Sequence, residues 1–358
     1  LEVIMQSTEK QIEKAYLVGV TFSNREDVAY SLLELKNLCV TAGIIAIGQT
    51  SQYVRQVNPA TVIGSGKLEE IKQDIDTQHV DVVVFDCELS GSQARNLSDY
   101  LNVKVIDRIT LILDIFAQRA TSNEGKLQVK LAQLKYNLPR LASIKGTSGR
   151  FGSGGVGMRG PGETKLELDK RMAREEIQKL EIDIERIKKN RQVQKQARTT
   201  SGIFKVAIVG YTNAGKSTLL NLITKASIYA DDKLFATLDT TSRKVYLAEG
   251  KYIVLTDTVG FISKLPHDLV DAFTSTLDAA KEADLILHVI DASNKNYKTQ
   301  IEVVDDVLKS LGITCPQIKV YNKYDKVVQR EEMDGIYISA KNNIGIQELK
   351  NKIISYME

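Results

Sequence analysis

The sequence predicts an α/β fold at both ends of the chain with a helical section between them. Three observations carry that expectation. Short β-branched and apolar runs, such as residues 82–85 and 204–209, alternate with helical patterns in residues 1–122 and again in 201–358. Between these parts, Leu127, Leu131, Leu134 and Leu138 recur at spacings of 4, 3 and 4, and Ala173, Ile177, Leu180, Ile184 and Ile187 at 4, 3, 4 and 3. Such spacings mark apolar faces of helices. Third, the run 204–209 leads straight into GYTNAGKS at 210–217, a strand, a glycine loop and the start of a helix.

Taken in order, a polar start over residues 1–14 precedes an expected strand at 16–21 and a helix at 25–40 closed by Gly43. Further strands are expected at 44–48, 61–63, 82–85 and 103–106, with helices at 67–76 and 92–101. This alternation makes the N-terminal part a layered α/β domain. Gly64, Ser65, Gly66 and Lys67 hint at a second phosphate loop, but the first glycine of GxxxxGK is missing and a turn capping a helix is the simpler reading. From 108 to 141 the pattern is helical, until Pro139 weakens it and eight glycines in 146–162 end it. A second helix follows over 164–197. Two stripes joined by a loop predict a long antiparallel helical hairpin over 123–200, with the glycine-rich basic loop 146–162 at its tip. After a linker at 199–202, strands are expected at Phe204, Lys244, Tyr252, Leu285, Gln317 and Ile336, with helices between most of them and a last helix at 346–357.

With 358 residues, 43% of them apolar, the chain has enough material for two or three ordinary cores. It opens without a basic-then-apolar leader, and no apolar run approaches the roughly 20 residues that cross a bilayer. Secretion and membrane insertion are not expected. Cys39, Cys87 and Cys315 lie far apart with no CxxC, which signals neither zinc nor a disulfide framework and fits a cytoplasmic protein. Net charge is only +3, yet residues 140–200 hold 15 lysines and arginines against 8 acidic residues, a local +7. A helix facing a polyanion produces that imbalance, and a solvated Lys- and Glu-rich helix produces a milder one. Residues 155–160, GVGMRG, satisfy GxGxxG, but no strand precedes them, and Pro161 and Gly162 stand where a crossover helix should begin. The dinucleotide reading therefore fails. Lys145, Arg150 and Arg159 remain as RNA-binding candidates, because arginines among glycines in a long loop suit a phosphate backbone.

The chemistry is concentrated in four short motifs. Gly210, Tyr211, Thr212, Asn213, Ala214, Gly215, Lys216 and Ser217, with Thr218 after them, form a phosphate cradle: glycines let backbone N–H groups turn inward, and the following helix adds its positive end. Lys216 is expected to reach the β and γ phosphates and the Ser217 hydroxyl to ligate Mg²⁺. Asp257, Thr258, Val259 and Gly260 give DxxG at the end of a strand, Asp257 holding Mg²⁺ through water and the Gly260 N–H facing the γ phosphate. Asn322, Lys323, Tyr324 and Asp325 give NKxD, and Ser339, Ala340 and Lys341 give SAK. A carboxylate at Asp325 accepts from both N1–H and the 2-amino group of guanine, whereas adenine offers no matching donors. One such tetrapeptide is a weak signal; four in order, each after an expected strand, are a strong one.

With these residues in view the chain resembles the HflX-type GTPases, within the translation-factor-related group that includes Obg. The resemblance covers nearly the whole length: NPATVIGSGKLEEIK from Asn58, IDRITLILDIFAQRA from Ile106, EGKLQVKLAQLKYNLPRL from Glu124, GGVGMRGPGETKLELDKR from Gly154, GYTNAGKSTLLN from Gly210, KLFATLD from Lys233 and DTVGFI from Asp257. It implies a Ras-like P-loop GTPase domain after the N-terminal domain and hairpin. It also implies Phe235, Ala236 and Thr237 as nucleotide-closing residues, with Thr237 over Mg²⁺ in the triphosphate state. Thr240 departs from the family, which usually has proline after that aspartate. Lys216, Thr237, Asp257 and Gly260 are the expected catalytic residues. Phe261 stands where Ras-like enzymes place a water-orienting glutamine, and it has no donor or acceptor for that task, so slow intrinsic turnover of GTP to GDP is expected. His267 is a candidate stand-in, though a single histidine in such a loop is more often simply solvated. The implied partner is the ribosome, mainly its large subunit and RNA, with GTP favouring subunit dissociation or rescue under stress, and a monomer is expected. The alternative is a GTP-dependent adaptor acting on protein partners, with slow hydrolysis as a timer.

Overall fold

The computed structural model describes residues 12–21, 25–141, 165–196, 203–224, 234–235, 241–248, 250–264, 274–327 and 334–357. The chain divides into two compact units, Leu1–Ile115 with Lys135–Arg174, and Phe116–Leu134 with Glu175–Glu358.

The first unit is built on a parallel sheet. Its elements are β1 (Lys14–Thr21), α1 (Arg25–Ala42), β2 (Ile45–Tyr53), α2 (Ser65–Gln78), β3 (Val82–Phe85), α3 (Gly91–Leu101) and β4 (Lys104–Asp107). Strand order is β2-β1-β3-β4, all pairs parallel. β3 is Val-Val-Val-Phe and buried along its whole length, as expected for a central strand covered on both faces. β2 lies at the edge, so its side chains alternate between exposed and half-buried. The expected strand at 61–63 is absent. Asn58 and Val62 exchange backbone hydrogen bonds of 2.9 and 3.2 Å, the Asn58 side chain accepts from the Ala60 N–H, and Val62 takes φ 68°. The apolar pair Val62–Ile63 is a buried plug in a tight turn, and Gly64 then caps α2. α3 begins with a capping box, Ser90 accepting from the Gln93 N–H and the Gln93 side chain from the Ser90 N–H.

Helices α4 (Arg108–Arg119), α5 (Asn123–Asn137) and α6 (Lys165–Gln196) follow. On α6, Ile177, Leu180 and Ile184 of the expected stripe are buried. α5 differs from its leucine stripe: Leu131 is buried, but so are Gly125, Gln128, Val129 and Ala132. It is covered over more than one face, so a single row of leucines understates its burial.

The second unit has β5 (Phe204–Gly210), α7 (Lys216–Thr224), β6 (Thr241–Ala248), β7 (Lys251–Asp257), α8 (Thr274–Lys281), β8 (Leu285–Asp291), α9 (Tyr297–Ser310), β9 (Gln317–Asn322), β10 (Ile336–Tyr337) and α10 (Ile346–Ser355). Strand order is β10-β9-β8-β5-β7-β6, parallel except for β6, which runs antiparallel to β7 at the edge. Val206, Ile208, Leu255, Leu287 and Val320 from the sheet pack with Leu219, Leu220 and Ile223 of α7 and Leu349 and Ile353 of α10. Parallel strands point their carboxyl ends the same way. The loops after β5, β7, β8 and β9 therefore open on one edge of the sheet, where ligands of open α/β sheets bind.

Candidate functional site

The phosphate loop leaves β5 at Gly210 and enters α7 at Lys216. Both of its glycines are required. Gly210 has φ 153°, and a Cβ there would stand 2.2 Å from the Val289 carbonyl oxygen; Gly215 has φ 92°, and a Cβ there would stand 2.2 Å from Asn322 Nδ2. Lys216 is buried, its Nζ donating to the carbonyls of Gly210 at 3.2 Å and Tyr211 at 2.9 Å. Burial pushes its pKa down to about 8, against an upward pull from Asp257. Beside it, Ser217 Oγ donates to Asp257 Oδ2 at 2.7 Å. The Thr212 hydroxyl is buried with no hydrogen-bond partner among the described residues. Thr218 is half-buried on α7, one residue further on.

The DxxG segment crosses directly over this loop. Thr258 Oγ1 donates to the Ile208 carbonyl at 2.8 Å, Val259 is buried, and a Cβ on Gly260 would come within 2.9 Å of Lys216 Nζ. A hydroxyl next to a carboxylate is the hard-oxygen pair that Mg²⁺ prefers. Together with a cradle that leaves no room for a Cβ at Gly210 or Gly215 and a buried ammonium, the residues present fit a magnesium–polyphosphate group.

On the other side of the phosphate loop, Asn322 links two loops: its Nδ2 donates to the Ala214 carbonyl at 2.8 Å, and its Oδ1 accepts from the Ala340 N–H at 3.0 Å. Lys323, at φ 60°, donates from Nζ to the Asn213 carbonyl at 2.7 Å and to Asp291 Oδ2 at 2.8 Å. Asp325 is exposed, and a hydrogen bond from the Ser339 side chain holds its carboxyl below the usual carboxylate range. It thus stays an acceptor, the form that can read two donors on one base edge. Lys341 is exposed on the loop after β10, two residues beyond Ser339. Behind the loop, Tyr324 lies against Tyr337 with centroids 4.7 Å apart, and Tyr337 stacks on Tyr321 at 5.7 Å.

All four motifs thus meet at one edge of one sheet. Phe235 is buried and meets Phe116 edge-on, with ring centroids 4.7 Å apart. Ala236, Thr237, Thr240, His267, Lys145, Arg150 and Arg159 lie outside the described residues. Sequence reading missed Asp291, although it ends an apolar strand as Asp257 and Asn322 do. Among the described residues there is no cluster of three or more His, Cys, Asp or Glu side chains suited to a metal, and no helix long and apolar enough to cross a membrane.

Comparison with known proteins agrees with this geometry. Residues 29–117 match a family model described as GTP-binding GTPase N-terminal, 119–198 one described as GTP-binding GTPase middle region, and 205–323 one described as 50S ribosome-binding GTPase. The GTPase HflX of Caldanaerobacter subterraneus subsp. tengcongensis is 52% identical over 98% of this chain and 82% of its own length. The GTPase HflX of Escherichia coli strain K12 is 42% identical over 94% of this chain and 81% of its own. Among solved structures, a GTP-binding protein from the archaeon Sulfolobus solfataricus in complex with GDP aligns over 96% of this chain and 98% of its own, with a TM-score of 0.50 and 26% identity. Four motif loops gathered at one edge of one sheet and relatives this close over nearly the whole length lead to one conclusion: the chain belongs to the HflX family of GTPases and is a GTP-binding, GTP-hydrolysing protein.

Proposed function

We propose that this GTPase binds the large ribosomal subunit and its RNA, and that its GTP-bound form promotes subunit dissociation or rescue under stress. The observation that carries the reading is the basic stretch 140–200, with a local charge of +7, immediately before a nucleotide-controlled domain. The match of residues 205–323 to a family described as a 50S ribosome-binding GTPase supports it. The working division is an N-terminal α/β domain over 1–122, a helical hairpin over 123–200 and the GTPase domain over 201–358. For the hairpin, the support is a 2.5 Å ion pair between Lys130 on α5 and Glu176 on α6, with buried residues on both helices.

In the nucleotide domain, Lys216 and the loop N–H groups hold the phosphates. Ser217 and Thr237 are the residues that would hold Mg²⁺, with Asp257 beside them, and the ion would offset charge on the phosphates when bound. Gly260 faces the γ phosphate, and Asn322, Lys323, Asp325 and the loop Ser339, Ala340 and Lys341 select guanine. Phe261 has no group able to orient water, so unassisted turnover is slow. The protein acts as a monomer in the cytoplasm. Co-sedimentation with purified ribosomes, with GDP and with a nonhydrolysable GTP analogue, tests the reading. Enrichment with large subunits in the analogue is expected. No ribosome binding in either state would leave an adaptor for protein partners.

A further inference from the structure

Phe261, directly after DxxG, has both of its backbone polar groups committed. β5 and β7 pair in parallel as far as Ile208 opposite Asp257, and the pairing resumes as an isolated parallel bridge between Tyr211 and Phe261. Two residues, Val209 and Gly210, separate these positions on one side and three, Thr258, Val259 and Gly260, on the other. DxxG is therefore a bulge clamped at both ends. At the second clamp the Phe261 N–H donates to the Gly210 carbonyl at 3.1 Å, and the Thr212 N–H donates to the Phe261 carbonyl at 2.7 Å. A third bond comes from a side chain: the Ser263 N–H donates to the Tyr211 phenolic oxygen at 2.7 Å. Tyr211 and Phe261 are each 4% exposed, so water competes little for these groups. Inside the bulge Gly260 lies so close to the phosphate loop that a Cβ there would stand 2.9 Å from both Lys216 Nζ and Thr212 Cγ2. Whatever fixes residues 261–263 also fixes Gly260.

We propose that the Tyr211 hydroxyl is a positioning group for GTP hydrolysis, stapling residues 261–263 to the phosphate loop and so holding Gly260 beside Lys216 during the reaction. The staple acts on turnover rather than on affinity, because the loop N–H groups and Lys216 hold the phosphates whether or not the hydroxyl is present. It matters more here than where a glutamine side chain orients water, because Phe261 contributes only its backbone. The inference rests on the GTPase activity and is independent of ribosome binding.

Tyr211→Phe removes one oxygen and leaves the ring and backbone in place. Losing one neutral hydrogen bond should lower kcat about 2- to 10-fold. KM for GTP and Kd for GDP should stay within about twofold of wild type, and amide exchange should quicken at Ser263 with the melting temperature lowered by no more than about 2 to 4 °C. A kcat at or above wild type overturns the proposal. So does a loss confined to KM and Kd, which would make the hydroxyl a support for the cradle alone. The wild-type protein supplies an independent check: a Ser263 amide that exchanges as fast as an exposed one removes the staple.

Discussion

At the residue scale, the buried ammonium of Lys216 should make nucleotide binding depend on pH. Its pKa near 8 lies below the ordinary lysine value, so between about 8 and 10.5 the unfolded chain holds a proton that the native state has released. Native stability contributed by this group therefore rises with pH across that window, and below it the native state carries the cost of a buried charge. A polyphosphate restores the charged form, so binding above pH 8 must take up a proton. Affinity for GDP should then fall about threefold between pH 7.5 and 8.5. Calorimetry in two buffers of different ionisation heat would read both the fall and the proton uptake; a flat affinity would mean that Lys216 titrates as an ordinary lysine. The gathering of the motif residues around it was legible in the sequence because each motif is one contiguous run at the end of a strand. Asp291 and the Tyr211–Ser263 bond were harder to see. Their partners lie 32 and 52 positions away in the chain and meet only once strand register is known.

At the scale of elements, Arg108 ties three of them together. As the first residue of α4 it is 1% exposed, bonding Asp86 at the end of β3 at 2.9 Å and Glu34 of α1. Taking away the cation strands two buried carboxylates. Arg108→Leu should cost about 3 to 5 kcal/mol in chemical denaturation, and replacing all three residues by apolar ones of similar volume should cost much less. An equal loss in both variants would assign the effect to packing rather than charge. Strands such as β3 and β5 were legible because buried parallel strands are continuous apolar runs. The run at 61–63 has the same composition and still makes a turn, because the Asn58 side chain and the positive φ of Val62 reverse the chain before a partner strand can pair. Composition records burial there, and only the neighbours decide the backbone.

At the scale of the whole molecule, the charge map separates a basic middle from a chain of small net charge. If the proposed hairpin carries its loop to RNA, Arg150→Ala with Arg159→Ala should weaken ribosome binding and flatten its salt dependence by about 0.7 to 0.9 in slope per arginine. Basal GTP hydrolysis should stay near wild type. Binding measured at three salt concentrations decides it, since an unchanged slope with intact affinity reduces the loop to a connector. The meeting of loops from β5, β7 and β9 and the segment after β10 has a further consequence. On the proposed assignment a guanine nucleotide would touch parts of the sheet that are far apart in the chain, and only the native state brings them together. The nucleotide pool then acts as a reservoir of folding free energy: at a concentration 100 times its Kd, the ligand stabilises the native chain by about 2.7 kcal/mol. A cell that depletes its guanine nucleotides would lower the resistance of this protein to heat and proteolysis along with its activity.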